Sequence, residues 1–320
     1  MKKKMLILGT SGFIGRNLAE FFAALGGYEV YGTYFSSEAF VCDGIKLVRA
    51  DLTRREEMDA VLTGMDIVIQ AAAVTSGSKD IHSRPYIHIT DNALMNSLLF
   101  RAAFEKEISH VLLLSCSIMY RSSDVPLKES DFDASQEMFP SYFGGGWNKV
   151  YFEKMSEFFS RLGKNRYTVI RHSNMYGPWD KFDLEHSHVF GATITKVMTA
   201  PENSAITVWG SGEEGRDLLH IDDLVSFVCR AIEGQTSPFE LYNVGSGTAV
   251  PVRDIVQKIV ELSGKKLSII YDLTKPTIKT SLSLDCGKAY QDLGWRPEIT
   301  LDEGIMRILA WYRRHHVLFE

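Results

Sequence analysis

The chain has 320 residues, 45% of them hydrophobic, and a formal net charge of −5. This length suffices for one large domain or two that share an interface, and the acidic balance argues against nucleic acid or an anionic membrane as a partner. No apolar run approaches the roughly 20 residues that cross a bilayer, and the four cysteines lack metal-ligand spacing, so we expect no metal site and reduced thiols in a cytoplasmic protein.

The first predicted element is a buried strand, Met5 to Leu8, followed by a glycine-rich turn and an amphipathic helix. Gly9 permits the turn, Gly12 lets a pyrophosphate approach the backbone, and Gly15 lets the helix pack closely on the strand. Free N–H groups at the helix start suit phosphates. An ordinary turn is the alternative, but the flanking strand and helix favour a dinucleotide site. The predicted cofactor-binding residues of this turn are Gly9, Ser11, Gly12, Phe13, Ile14 and Gly15.

The second predicted strand, Glu29 to Tyr34, bears on the choice of cofactor. In NAD-binding versions of this fold an Asp or Glu ends the strand and holds the ribose hydroxyls. Here Tyr34, Phe35, Ser36 and Ser37 follow instead, so no carboxylate repels a 2′-phosphate and no Arg or Lys attracts one. Either NADP or NAD is expected, with NADP favoured.

Strand and helix patterns then alternate as far as about residue 176. Strands are predicted at 46–49, 66–73, 110–117 and 167–173, and helices at 53–63, 91–106 and 147–162. Thr53 and Glu56 have the spacing of a capping box for the first of these helices. This alternation predicts an α/β fold with a doubly wound parallel sheet of the Rossmann type.

The regular alternation of predicted strands and helices ends after about Gly177. Short strands at 206–209 and 267–271 mix with helices at 222–233, 252–262 and 301–315. We expect residues 1–176 to form the dinucleotide-binding domain, with some later segments returning to it. Residues 177–320 are expected to form mainly a smaller C-terminal α/β part that binds the substrate over the carboxyl edge of the sheet.

Further motifs follow in order along the chain. They are Asp51-Leu52, Ala71 to Ala73, Asn92, Lys149-x-x-x-Glu153, Asn174 to Pro178, Arg216 to Asp223 and Tyr242 to Gly247. With the glycine turn, they resemble the extended short-chain dehydrogenase/reductase family, the NAD(P)-dependent nucleotide-sugar epimerases and dehydratases. Within it, Ser187-His188-Val189, Val208 to Gly212, and Lys275-Pro276 with Asp285 are most similar to the GDP-L-fucose synthase-like epimerase/reductases.

The resemblance implies a nucleotide-diphosphate sugar as ligand and a homodimer formed through the helices at 91–106 and 147–162. It implies that Asp51 contacts the adenine and Arg216 the substrate nucleotide, although a salt bridge of Arg216 with Asp217 or Asp222 is the alternative. The guanidinium fork suits phosphate. The cofactor-binding residues implied outside the glycine turn are Asp51, Leu52, Ala71, Ala72, Ala73 and Lys149. The substrate-binding residues implied are Ser117, Asn174, His188, Lys196, Trp209 and Arg216.

The catalytic residues depart from the family pattern. The family pairs a Tyr with a Lys four residues later, which places both on one helix face about 5–6 Å apart and lets the lysine lower the pKa of the phenol. Lys149 takes the lysine position, but Gly145 stands where the tyrosine belongs. On the preceding strand, Cys116 replaces the expected Ser or Thr, and Ser117 should point to the opposite face.

Three hypotheses explain Gly145: an engineered knock-out, a native enzyme that moves protons through Cys116 and His188, or a protein that binds its ligands without catalysis. A thiol beside Lys149 would have its pKa lowered from about 8.5. A buried, inert thiol is the alternative for Cys116, since the family's cysteine falls at Ile118. His188 matches the family's histidine, within His186-Ser187-His188.

Tyr142 is a candidate replacement for the missing tyrosine, because it lies seven residues, or two helical turns, before Lys149. Glycines at 144–146 predict a flexible turn that brings Tyr142 in from the side rather than a helix. The sequence thus predicts an NAD(P)-dependent epimerase or epimerase/reductase for a keto-deoxy sugar nucleotide, with GDP favoured as the nucleotide. A catalytically inactive protein that binds a nucleotide sugar and NAD(P) is the alternative.

Overall fold

The computed structural model describes residues 2–74, 85–163, 165–184, 187–275 and 277–315. Two residues of the predicted motifs, His186 and Pro276, lie outside these ranges. The strands are β1 (Lys3–Leu8), β2 (Tyr28–Tyr34), β3 (Ile45–Arg49), β4 (Ile67–Gln70), β5 (His110–Leu114), β6 (Arg166–His172), β7 (Asn174–Tyr176), β8 (Ala205–Trp209), β9 (Gly215–His220), β10 (Phe239–Val244), β11 (Ala249–Pro251) and β12 (Ser268–Asp272). The helices are α1 (Phe13–Leu25), α2 (Arg55–Leu62), α3 (Pro85–Glu105), α4 (Phe143–Ser160), α5 (Val189–Thr199), α6 (Ile221–Gly234), α7 (Val252–Ser263), α8 (Gly287–Leu293) and α9 (Leu301–His315).

The central sheet has seven strands in the order β10-β6-β5-β4-β1-β2-β3. All of its neighbouring strands run parallel. Leu6 of β1 lies opposite Val68 of β4 on one side and Tyr31 of β2 on the other. The chain reverses its winding between β1 and β4, where doubly wound sheets bind ligands. The predicted α/β Rossmann-type sheet is confirmed.

Both faces of this sheet are covered by helices. Met5 and Ile7 of β1 pack with α1 and α6 on one face, whereas Leu6 and Leu8 pack with α2 and α3 on the other. This double burial explains why the strands are nearly continuous apolar runs rather than alternating ones. β10 extends the sheet although it follows residue 177, because its partner is β6.

A separate apolar cluster is formed by side chains between residues 176 and 312. It joins Phe190 of α5, Ile255 of α7 and Trp311 of α9 beside the two-stranded sheet β12-β8 and the three-stranded sheet β11-β9-β7. Within the described part of the chain, no helix has both the length and the apolar character needed to span a membrane.

Helix α4 differs most from its prediction. It begins at Phe143 rather than 147, so the glycines at 144–146 are helical and the predicted flexible turn is wrong. A Cβ on Gly144 would lie 2.4 Å from Ile89 Cδ1, and one on Gly146 would lie 2.4 Å from Met138 Sδ. Close packing on these two side chains therefore outweighs the poor helix propensity of glycine.

Several other boundaries also shift. The predicted capping box is wrong, because Arg54 precedes α2 and the Thr53 hydroxyl donates to Asp51 Oδ1 at 2.6 Å. β4 ends at Gln70 and β5 at Leu114, each three residues earlier than predicted. Residues 71–73 and 115–117 are thus loops at the carboxyl edge of the sheet.

Candidate active site

The glycine turn has the geometry of a phosphate cradle. Gly9 has φ of 80°, and a Cβ there would lie 2.5 Å from the Ala72 backbone. A Cβ on Gly15 would lie 2.3 Å from the Gly9 carbonyl oxygen, whereas one on Gly12 would meet only that oxygen, at 3.4 Å. The turn therefore packs tightly at Gly9 and Gly15 and is open to a ligand at Gly12. No side chain caps α1 and no acidic residue lies in its first turn, so the site fits a pyrophosphate.

Hydrogen bonds hold the neighbouring strand ends against this turn. The Gly9 N–H donates to Thr33 Oγ1 at 3.0 Å, and the Thr10 hydroxyl donates to the Thr33 carbonyl at 2.9 Å. On the β4 side, the Asn92 amide exchanges hydrogen bonds of 2.9 and 3.0 Å with the Val74 backbone. The loop of Ala71 to Ala73 therefore forms a fixed wall beside the turn.

Asp51 and Leu52, the residues expected near the adenine, lie just after β3. The Asp51 carboxylate at the end of β3 accepts hydrogen bonds from the Thr53 N–H and hydroxyl, and Leu52 is buried. Residues 34–37 after β2 contain no Arg or Lys, but Arg49 Nε donates to the Phe35 carbonyl at 3.4 Å, so a cation from another strand lies at this strand end. Arg49 belongs to β3, so the local sequence after β2 gave no sign of it.

A buried ion pair joins Arg171 of β6 to Glu153 of α4. Arg171 Nη2 lies 2.6 Å from Glu153 Oε2, with side-chain exposures of 5% and 4%. The Ser115 hydroxyl also donates to Glu153 at 2.6 Å, and Arg171 donates to Tyr120 Oη at 2.8 Å. This network joins the loop after β5 to β6 and α4. Lys149 stands apart from it and donates to the Leu114 carbonyl at 2.9 Å.

Six polar side chains interact electrostatically, each with the next, and we call this group the cleft ring. In order around this cleft ring they are Lys149, Cys116, Tyr142, Arg216, His188 and His172. The structure thus brings together five residues that the sequence had singled out, those at 116, 142, 149, 188 and 216, and adds His172. His172 was missed by sequence reasoning, and its only signal is its place at the end of a strand.

The pKa shifts in the cleft ring keep its thiol, phenol and two imidazoles uncharged at neutral pH. Burial raises the pKa of the Cys116 thiol and outweighs the opposite effect of Lys149, contrary to the expectation of a lowered value. The pKa of His188 is lowered because protein atoms crowd the ring, although solvent reaches it, and because Lys181 and Arg216 are nearby. Burial lowers the pKa of His172 to about 4 and raises that of Tyr142. At neutral pH the thiol and phenol hold their protons, and both imidazoles are free to accept one.

Gly145 faces open space at the start of α4. A Cβ there would meet only Ile118 Cδ1, at 3.4 Å, in contrast to its two glycine neighbours. Tyr142 lies directly before α4, at its N-cap position and three residues before Gly145, and its phenol is within electrostatic range of Cys116 and Arg216. A side chain at position 145 would therefore begin in open space, and another tyrosine stands one turn earlier in the chain.

The wall opposite the glycine turn carries the predicted substrate-binding residues. Arg216 donates to the carbonyls of Ile278 and Thr280 at 3.0 and 2.5 Å, and the alternative salt bridges are wrong. Asp217 instead accepts from the Leu284 N–H at 2.9 Å, and Asp222 pairs with Arg307 at 2.9 Å. Asn174 is exposed on β7 and donates to the Asp217 carbonyl at 3.3 Å.

Trp209 and Lys196 lie further along the same wall. Trp209 is 48% exposed at the end of β8, and Lys275 Nζ lies 5.8 Å from its ring centroid. The Lys196 ammonium donates to the Thr207 carbonyl at 2.7 Å and so ties α5 to β8. Ser117 is buried in a turn after β5, so the alternation argument for its direction does not apply. Within the described ranges, no group of three or more His, Cys, Asp or Glu residues is placed to hold a metal ion.

Comparison with known proteins agrees with the fold and the glycine turn. The profile of the NAD dependent epimerase/dehydratase family matches residues 5–245. The chain is 27% identical to GDP-L-fucose synthase of Azorhizobium caulinodans, covering 99% of both chains, and 26% identical to GDP-L-colitose synthase of Yersinia pseudotuberculosis, covering 97% of both. It is similar in fold to the structure of UDP-glucose 4-epimerase with UDP-glucose from Thermotoga maritima, with a TM-score of 0.86, 22% identity and coverage of 98% of this chain and 99% of that one. The predicted family and its nicotinamide dinucleotide are thereby confirmed: the chain belongs to the NAD-dependent epimerase/dehydratase family.

Proposed function

We propose that this protein is an NAD(P)-dependent epimerase/reductase that acts on a keto-deoxy sugar nucleotide, with a GDP-linked sugar favoured. The observation that carries the proposal is the cleft ring, in which proton donors and acceptors interact with Lys149, whose ammonium donates to the carbonyl of Leu114 at the carboxyl end of β5. The similarity to GDP-L-fucose and GDP-L-colitose synthases supports the substrate class.

The dinucleotide would occupy the cradle described above. The glycine turn would hold its pyrophosphate, Asp51 and Leu52 its adenine, and Lys149 its nicotinamide ribose. When bound in its reduced form, the nicotinamide would supply a hydride to the keto carbon of the sugar. Lys149 is already oriented toward the cleft floor by the Leu114 carbonyl, 2.9 Å from its Nζ.

Epimerisation needs one base and one acid at the carbon beside the keto group. His188 is neutral, so it can accept the acidic C–H proton, and the substrate becomes an enolate. Cys116 retains its thiol proton and can deliver it to the opposite face of that carbon, which inverts it. Exchange with water then restores the imidazole and the thiol, so hydrogen from the solvent enters the sugar.

Reduction needs a further proton for the oxygen of the keto group. Tyr142 is the phenol nearest in chain order to the open space at Gly145, and its raised pKa keeps it protonated. We assign it the donor role, for which positioned acids contribute on the order of 100-fold or more in rate. Tyr142→Phe should slow reduction by that factor, whereas Tyr290→Phe, on the exposed side of α8, should not.

The nucleotide would lie along the wall formed mainly by residues 177–320. Trp209 presents an exposed ring on which a base can stack, with the Lys275 cation beside it. Arg216, a member of the cleft ring, and Asn174, which donates to the carbonyl of the neighbouring Asp217, are assigned to the diphosphate. Ser117 and Lys196 are assigned supporting contacts with the sugar.

A homodimer is proposed for the face of α3 and α4 that points away from the sheet. Leu94 of α3 is exposed, as are Tyr151 and Phe158 of α4 and Leu162 just after it. The spacing of seven residues places Tyr151 and Phe158 on one helix face. Phe158→Glu should convert the dimer to a monomer in sedimentation experiments, and a wild-type monomer would contradict this assignment.

The test is NADPH oxidation with GDP-4-keto-6-deoxymannose, followed by absorbance. We expect turnover by the wild-type protein, and slower turnover with a UDP-linked keto sugar. A second candidate, binding without catalysis, is favoured by the open space at Gly145. It predicts tight binding of both ligands, no turnover, and a large gain of rate in Gly145→Tyr. Absence of both binding and turnover would overturn the proposed substrate.

A further inference from the structure

His172, the last residue of β6, carries a hydrogen-bond acceptor that no described residue uses. Its Nδ1 lies 2.7 Å from the carbonyl oxygen of Ser173. Because a carbonyl oxygen only accepts, Nδ1 holds the proton of the neutral ring, and Nε2 keeps a free lone pair. Protein atoms crowd the ring, but it is only half-buried, and Nε2 is not among the fully buried atoms that lack a partner. Solvent, or a ligand that replaces it, therefore reaches this lone pair.

The sheet places this lone pair among the residues assigned to proton transfer. The ladder between β5 and β6 continues past the end of β5, because the Ser115 N–H donates to the Ile170 carbonyl at 2.8 Å. His172 stands two residues beyond that carbonyl, at the carboxyl edge of the sheet. There it interacts electrostatically with Lys149 and His188, its two neighbours in the cleft ring. A ligand held by the cleft ring therefore lies within reach of His172.

The surroundings of His172 keep Nε2 an acceptor rather than a donor. Burial lowers the pKa of His172 to about 4, the Ser173 carbonyl opposes this shift, and the neighbouring Lys149 and His188 add to it. At neutral pH Nε2 thus accepts a hydrogen bond and donates none. A ligand group that matches it must donate, as a hydroxyl does, whereas a methylene group or a keto oxygen leaves the acceptor unpaired.

We propose that His172 selects sugar nucleotides that carry a hydroxyl on the carbon beside the keto group. This inference rests on the proposed function, which places that carbon between Cys116 and His188. Because His172 is the neighbour of His188 in the cleft ring, a hydroxyl on the carbon that exchanges its proton would donate to Nε2. In a 4-keto-6-deoxy sugar, carbon 3 is the only carbon beside the keto group that bears a hydroxyl. A sugar with a methylene group there would leave the acceptor unpaired and bind more weakly.

The experiment compares GDP-4-keto-6-deoxymannose, which has the hydroxyl at carbon 3, with GDP-4-keto-3,6-dideoxymannose, which has a methylene group there. Calorimetry with the full chain and oxidised NADP measures binding, and NADPH oxidation measures kcat/KM. Wild-type protein should bind the hydroxyl sugar about tenfold more tightly than the methylene sugar. His172→Phe keeps a ring without the acceptor, so it should weaken binding of the hydroxyl sugar alone and abolish the preference. His172→Gln should keep part of the preference, because its amide oxygen still accepts.

His315→Phe is the matched control, because His315 Nδ1 also lies 2.9 Å from a backbone carbonyl, that of Trp311, but on α9 and outside the cleft ring. It should leave both affinities unchanged. Equal losses for the two sugars in His172→Phe would overturn the inference, because they would indicate a structural role. Equal binding of the two sugars by wild type would also overturn it. The expected preference in binding without turnover of either sugar would contradict the proposed function and leave this inference standing, whereas binding of neither sugar would overturn both.

Discussion

Removal of the charge on Glu153 should destabilise the protein strongly, because it would leave Arg171 buried without a counter-ion. Both side chains are about 95% buried, and Arg171 Nε and Nη2 make hydrogen bonds of 2.6 to 3.2 Å with the two carboxylate oxygens. Glu153→Gln keeps the shape and one amide oxygen for the Ser115 hydroxyl. The substitution therefore removes the charge while altering the packing very little.

The size of the effect follows from the burial. Breaking a buried ion pair by removing one partner costs about 3–5 kcal/mol, much of it the penalty for the charge that remains. Arg171 keeps its bond to Tyr120, 2.8 Å away, which favours the lower end of that range. We expect a loss of about 3 kcal/mol in the free energy of unfolding. Arg171→Met, which leaves Glu153 unpaired, should cost a similar amount.

Urea unfolding followed by tryptophan fluorescence measures these losses, and a double-mutant cycle identifies their cause. Glu153→Gln combined with Arg171→Met leaves no buried charge, so its cost should fall below the sum of the single costs by at least about 1 kcal/mol. Additive costs, or a loss below about 1 kcal/mol in Glu153→Gln, would refute the argument that charge burial dominates this network.

Three further predictions concern α4, pH and the nucleotide wall. Gly145→Ala should stabilise the protein by up to about 1 kcal/mol, because the added Cβ has room. Gly146→Ala should destabilise it, because the added Cβ would clash with Met138 Sδ. Thermal unfolding of both variants checks these opposite signs. The fold lowers the pKa of His172 to about 4, so the unfolded chain binds more protons than the folded protein between that pH and about 6.5. The free energy of unfolding should therefore rise with pH across this window. His172→Gln should flatten that rise in urea titrations. Trp209→Ala should weaken GDP binding roughly 5- to 100-fold in calorimetry if a base stacks there, and an unchanged affinity would remove Trp209 from the site.

The sheet and the glycine turn could be predicted from local sequence because each is specified by short-range patterns. Apolar runs such as the one from Met5 to Leu8 are buried on both faces, and that burial leaves a clear signature. The requirement for glycine at position 15 is also local, since a Cβ there would lie 2.3 Å from the Gly9 carbonyl oxygen, whereas the requirement at Gly9 comes from the backbone of Ala72 at 2.5 Å. The parallel order and the approach of Lys149, Cys116 and Arg216 to one edge followed from those strands.

Features set by long-range contacts could not be predicted in this way. The helical glycines of α4 depend on Ile89 and Met138, which the sequence does not mark as neighbours. The pKa of Cys116 depends on how deeply the loop after β5 is buried, and that burial reverses the effect expected from Lys149 alone. Arg49 reaches the end of β2 only because β3 pairs with it.

The central claim, that Cys116 and His188 exchange protons with the sugar, is tested most directly by incubation of the wild-type protein with GDP-4-keto-6-deoxymannose in D2O. Mass spectrometry of the recovered sugar nucleotide, without reduced cofactor turnover, reports entry of solvent deuterium. We predict a mass gain that is lost in both Cys116→Ala and His188→Asn, but retained in Lys46→Ala. No gain in the wild-type protein, or an equal gain in all four, would contradict the proposed role of the cleft ring.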